Sequence, residues 1–186
     1  MQPAIQLYSR EEYLTLAETS ETKYEFFRGE IFAMSGGTFN HSFIKGNIFI
    51  KLGQKLNGKP CHPMDSDMRL RTPSGLNTYP DISIYCGMPE LTDAQTTLLN
   101  PCIIVEVLSP STSHYDRGNK FNHYRSLVTL TDYVLVESTI RWVEHRQLTE
   151  AGEWQVRTYS ELTDVILFRK LEISLTLAEI YAEVLD

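Results

Sequence analysis

Polar and apolar positions along this chain change period several times, and each change marks an element. Ser9 and Glu12 stand three apart before a mixed stretch, the capping box of a short helix reaching about residue 17. Residues 24–34, YEFFRGEIFAM, read as two short strands joined tightly at Arg28-Gly29. Asn40 is placed to cap a second helix ending near residue 56, with Ile44, Ile48 and Leu52 on one side. Three strands follow by pattern, at about 67–72, 80–86 and 101–108. The segment GMPELTDAQTTLLN between the last two reads as a surface loop with one helical turn. Beyond Ser109-Pro110 the pattern is helical over about 115–127, then a strand follows at 133–137. Residues 142–148 and 154–159 form a hairpin around Glu150-Ala151-Gly152, and a Thr176/Glu179 capping box opens a last helix.

This order predicts a mixed α/β fold in a single domain over 1–186. A central mixed β-sheet is flanked by helices, with a hairpin and helix added at the C-terminal end. A chain of 186 residues is long enough to bury roughly 70% of its unfolded surface. The first twenty residues lack the basic start and apolar core of a secretory signal. No apolar run has the length of a membrane span, and the best, 102–108, is broken by Glu106. Cys61, Cys86 and Cys102 are odd in number and far apart, which favours reduced thiols over a disulfide or a zinc site. The expectation is a cytoplasmic protein with no membrane partner.

Glu106 is the anomaly in this pattern. Its strand is apolar on both sides of the alternation, so it is expected to be covered on both faces. An ionised carboxylate there is costly unless it is paired, hydrogen-bonded or bound to a metal. Asp81 begins the strand PDISIYC, behind a proline that suits a first strand position. If the two strands pair, Asp81 and Glu106 converge, and two carboxylates about 4 Å apart repel by roughly 4 kcal/mol at an effective dielectric of 20. A divalent cation reverses that sign, and oxygen ligands select magnesium, manganese or calcium over zinc. Asp116, Lys120 and Tyr124, spaced i, i+4, i+8, share one face of the following helix, which can fold back over the strand's end.

The motifs Tyr79-Pro80-Asp81, Glu106-Val107-Leu108-Ser109-Pro110-Ser111 and Asp116-Arg117-Gly118 with Lys120 and Tyr124 resemble the Uma-type restriction-endonuclease-like family. That family belongs to the PD-(D/E)XK nuclease superfamily. Phe27-Arg28-Gly29-Glu30-Ile31, then Met34-Ser35-Gly36 and His41, resemble its N-terminal signature. The resemblance implies a restriction-endonuclease-like core and phosphodiester hydrolysis on nucleic acid, DNA above all. It implies Asp81, Glu106 and the Val107 carbonyl as ligands of Mg2+ or Mn2+. Glu30 is implied as a further acidic group, and His41 as a contact to substrate or water. The superfamily usually places its lysine two residues after the glutamate; Leu108 stands there, and the resemblance implies that Lys120 takes over. Relatives are implied to form homodimers.

Two readings from other classes stay open. The fold could serve as an interaction module whose carboxylates pair only with Lys120, or as a two-carboxylate hydrolase of another substrate. Ser109 or Ser111 with His41 or His114 lacks the elbow and oxyanion loop of a serine hydrolase. A net charge of −7 argues against non-specific coating of nucleic acid. Between residues 45 and 71, however, six bases face two acids, a local +4 compatible with a phosphate backbone.

Overall fold

The computed structural model describes residues 6–34, 36–110 and 112–185. Its central six-stranded sheet runs β12 (Trp154–Tyr159), β11 (Val143–Leu148), β10 (Asp132–Glu137), β9 (Ile103–Leu108), β6 (Ile82–Cys86) and β3 (Cys61–Asp65). Only β9 and β10 are parallel in it; the other neighbours are antiparallel, so the sheet is mixed. All six residues of β9 are buried, as its unbroken apolar run requires.

Alternation along β9 assigns its residues to two cores. Ile103, Val105 and Val107 pack with Ile44, Ile48 and Leu52 of helix α2 (Phe39–Leu56). Ile104 and Leu108 pack on the other side with Phe121, Tyr124 and Tyr133. Glu106, between Ile104 and Leu108 in the alternation, therefore faces the helical segment that follows its own strand. That segment runs through Ser113–Tyr115, one π-turn at Asp116–Lys120, and Phe121–Tyr124.

A second six-stranded sheet has the order β2 (Glu30–Ala33), β1 (Tyr24–Phe27), β5 (Asn77–Thr78), β4 (Arg69–Arg71), β8 (Thr97–Leu98) and β7 (Leu91–Thr92). The tight joint between β1 and β2 is as expected: Arg28 and Gly29 both have positive φ, 51° and 90°, the pattern of a two-residue hairpin turn. Helix α1 (Arg10–Thr19) opens with the Ser9/Glu12 capping box, and the Thr176/Glu179 box opens a single closing turn, Leu177–Ile180. Among the described residues no helix is long and apolar enough to cross a membrane.

Several expectations are corrected. Helix α2 is capped by Thr38, whose hydroxyl accepts from the His41 N–H, while the Asn40 carboxamide donates to the Leu185 carbonyl. The polar excursion forms the β7–β8 hairpin instead of a helical turn, with Asp93, Ala94 and Gln95 at positive φ. Strand β3 contains Pro63, which its edge position tolerates. The pair β13 (Val165–Phe168) and β14 (Ile173–Thr176) was also unforeseen; it adds Ile166, Phe168, Ile173 and Leu175 to the α2 core. The thiols are not all reduced: Cys61 and Cys86 form a disulfide. They are directly opposite across β3 and β6, a placement that sequence separation could not reveal. Cys102 stays a thiol, its Sγ 3.5 Å from that of Cys86, and burial pushes its pKa up to about 11.

Candidate active site

Strands β6 and β9 pair antiparallel with Ile82 opposite Val105, so the start of one meets the end of the other. Asp81 and Glu106 are thereby brought into direct contact with each other's backbones. The Val107 N–H donates to Asp81 Oδ2 at 2.8 Å, and the Asp81 N–H donates to Glu106 Oε2 at 3.2 Å. Each carboxylate is thus fixed by the strand of the other.

Lys120 arrives from the helical segment facing Glu106. Its ammonium lies 2.9 Å from Glu106 Oε1, 3.3 Å from Glu25 Oε1 and 3.4 Å from Asp116 Oδ1. Tyr124, one turn further, donates its hydroxyl to Glu106 Oε1 at 2.7 Å. The predicted shared face of Asp116, Lys120 and Tyr124 is therefore present, with the π-turn between the first two. Such turns are rare and recur at functional sites. Leu108, where the superfamily usually has lysine, is fully buried in the apolar cluster with Phe121 and Tyr124.

His41 is at the first turn of α2, its Nε2 3.3 Å from Asp81 Oδ2, and it also hydrogen-bonds the Val107 backbone. Glu30 is not at the site. It is exposed next to the hairpin turn and does not line the cavity. The acidic residue that the hairpin contributes is Glu25, buried in β1, which also accepts from the Thr78 hydroxyl. Its signal was present in the sequence, a carboxylate inside the apolar strand YEFF, the same anomaly that marks Glu106. Ser35 and Ser111 of the motifs lie outside the described residues.

These groups open on one cavity of about 670 Å³ whose lining includes Glu25, His41, Asp81, Glu106, Asp116 and Lys120. Charge is unbalanced there, with four carboxylates against one lysine and two histidines. Burial pushes the Glu106 carboxyl up to about 7, against the pull of Lys120. Burial likewise raises Asp116. Burial also opposes the Lys120 charge, but Glu106, Glu25 and Asp116 outweigh it and hold the ammonium well above its ordinary value. Burial works against Asp81 too, yet His41, the Val107 N–H and Lys120 hold it below the usual carboxylate range. The hydrogen bond to Asp81 raises His41. The cluster thus keeps its lysine charged and shares protons among a surplus of carboxylates.

Hard oxygen donors in surplus suit a divalent cation of the magnesium class. Among the described residues, no set of three or more His, Cys, Asp or Glu side chains is arranged to hold a metal ion.

A protein-family model described as "Putative restriction endonuclease", Uma2, matches residues 10–178. Two proteins of Synechocystis sp. PCC 6803, both described as uncharacterized, are similar in sequence. One is 36% identical over 93% of this chain and 90% of its own length; the other is 34% identical over 77% and 82%. Among solved structures, a protein from Anabaena variabilis described as a putative nuclease belonging to DUF820 has a similar fold. Its TM-score is 0.76 at 15% identity, covering 94% of this chain and 98% of that one. The structural likeness shows the fold, and the family match supports a nuclease-like function. With the restriction-endonuclease-like motifs converging on one cavity and the family match spanning nearly the whole chain, the protein belongs to the Uma2 family.

Proposed function

We propose that the protein is a divalent-metal-dependent nuclease that hydrolyses phosphodiester bonds of DNA at the Asp81–Glu106–Lys120 cluster. The observation that carries this reading is the Lys120 ammonium, buried, 2.9 Å from Glu106 and facing the same cavity as Asp81. Buried ion pairs seldom stabilise a fold relative to apolar packing, and perturbed groups in a cleft mark functional sites. Asp81, Glu106 and the Val107 carbonyl would hold Mg2+ or Mn2+, which supplies a water of lowered pKa and offsets charge on the phosphate. Lys120 donates to the oxygen on which negative charge develops, in a site where little water competes. Tyr124 and the Asp81 N–H keep Glu106 oriented, and the Val107 N–H does the same for Asp81. His41 contacts the substrate phosphate or a water from the far side of Asp81.

A homodimer belongs to the same proposal. Val156, Val165 and Leu167 are exposed on the C-terminal strands, and light scattering tests for a homodimer. Cleavage is tested on supercoiled plasmid with manganese: wild type converts it, Asp81→Asn does not. A second reading, a nuclease fold that binds without cutting, is favoured by the closed pairing of Lys120 with three carboxylates. Under that reading neither protein cuts, and manganese changes nothing.

A further inference from the structure

We propose that the cavity beside the carboxylates accepts one unstacked nucleobase, so that single-stranded or frayed DNA is preferred over intact duplex; this rests on reading the cluster as the place where the phosphodiester is cut. Binding a duplex draws on Lys and Arg side chains that neutralise several phosphates at once. Among the described residues lining the cavity, Lys120 is the only Lys or Arg, and it is engaged by three carboxylates. Of the six bases between residues 45 and 71, all but Lys51 and Arg71 are engaged by other groups. Lys55 pairs with Glu179, Lys59 donates to the Leu171 carbonyl, Lys45 donates to the Ser66 hydroxyl, and Arg69 is buried against Thr96 and Thr97. Lys23 pairs with Asp67 and Arg117 with Glu137. A duplex laid across this face meets few unengaged cations on a chain of net charge −7.

The cavity offers something else. At about 670 Å³ it falls within the ordinary range of small-molecule sites, and its walls are aromatic. Phe27, Phe32, Tyr79 and Tyr115 line it together with His123. Phe32, opposite Glu25 in the β1–β2 hairpin, is 47% exposed and presents a ring next to the acidic cluster. His123 is held in place, edge-on to Phe27 at 4.4 Å between centroids and tied through Nδ1 to the Ser74 hydroxyl at 2.9 Å. Asn119 and Asn122, exposed on the helical segment, line the same cavity. Carboxamides supply both a donor and an acceptor to a base edge, and aromatic rings supply the stacking face. A base seated here leaves its own phosphate next to Asp81 and Glu106. Stacking then contributes what phosphate contacts would supply on a duplex.

The test separates binding from cutting. A short single-stranded oligodeoxynucleotide carrying 2-aminopurine and a blunt duplex of the same sequence are titrated into the Asp81→Asn protein. The single strand is expected to bind at least about tenfold more tightly. Phe32→Ala, at an exposed position where folding is not at stake, is expected to weaken that binding about 5- to 150-fold, as the loss of one base–aromatic stack implies. Phe32→Tyr should restore it. Cleavage with manganese is then compared on single strand, overhang and blunt duplex, with the first two cut faster. Equal affinity for duplex and single strand, or no effect of Phe32→Ala, overturns the inference even if all substrates are cut. Selective, Phe32-dependent binding with no cleavage of any substrate keeps the base pocket and removes the nuclease reading instead.

Discussion

Two clusters of buried charge occupy opposite ends of the β9–β10 pair, and they are built to different rules. At one end Asp132 is 1% exposed and His145 is 1% exposed. Asp132 Oδ1 takes His145 Nε2 at 2.7 Å and Gln147 Nε2 at 2.8 Å, while Oδ2 accepts from the Thr131 hydroxyl at 2.7 Å. One carboxylate meets three donors, and the set is complete. At the other end Lys120 meets Glu106, Glu25 and Asp116, with Asp81 beside them, and the set has a surplus of acid. Both clusters border a cavity, so a cavity alone does not separate them. Burial does not separate them either. What differs is the balance: at Asp132 one carboxylate meets three polar side chains, and at Lys120 four carboxylates surround one ammonium.

The comparison breaks most visibly under mutation of the balanced cluster. Asp132→Ala leaves buried His145 without its acceptor and removes one acceptor each from Gln147 and Thr131, and should cost about 3–5 kcal/mol in denaturant-unfolding measurements. It should leave cleavage by the folded fraction unchanged, and a large loss of rate would make this cluster functional as well. Lys120→Ala reverses the pattern. Cleavage should fall by about 10²-fold or more, equivalent to roughly 2.7 kcal/mol. Metal binding should survive, since an ammonium repels a cation and is no ligand. Leu108→Lys is a poor rescue for that loss, because Leu108 is fully buried among apolar side chains.

Protonation sharpens the contrast. Groups whose folded pKa lies above the unfolded value contribute stability below the unfolded pKa and lose it as pH rises through the folded one. Burial raises Glu106 from its ordinary 4.5 to about 7, and its hydrogen bond with Asp81 raises His41 above 6.5. The metal-free protein should therefore lose on the order of 1–2 kcal/mol, a few degrees of Tm, between about pH 5 and 7.5. Asp81, held low, acts only below its ordinary 3.8 and does not reverse the slope. Glu106→Gln should flatten it in a melting series. The smallest effect concerns the helix that presents His41. Removing the Thr38 cap with Thr38→Ala should lower stability by about 1 kcal/mol without abolishing metal-dependent cleavage.

The parts of this site that could be read in advance were those set by alternation and spacing. Glu106 betrayed itself as a carboxylate in a buried strand, and the Asp116–Lys120–Tyr124 spacing put three side chains on the face that meets it. Glu25 carried the same signal as Glu106 but sits in a strand of four residues, where the face turned inward is decided by packing on the second sheet. Glu30 was preferred through the family signature, and the hairpin turn leaves it in solvent. Thr38 and Asn40 are both good caps, and only backbone geometry chooses between them. The π-turn has no sequence mark, being a matter of hydrogen-bond register. Cys61 and Cys86 meet because β3 lies beside β6, and Pro63 disguised β3 as a loop.

The central claim is that the acidic surplus at Asp81 and Glu106 is held for a divalent cation. Thermal melting of wild type and Asp81→Asn, each with manganese and with EDTA, tests it directly. The account predicts that manganese raises the Tm of wild type and not of Asp81→Asn, which in EDTA melts only slightly lower than wild type because His41, the Val107 N–H and Lys120 favour the Asp81 charge. No manganese shift in wild type, together with a strongly destabilised Asp81→Asn in EDTA, would contradict it and make this cluster a structural ion pair like the one at Asp132.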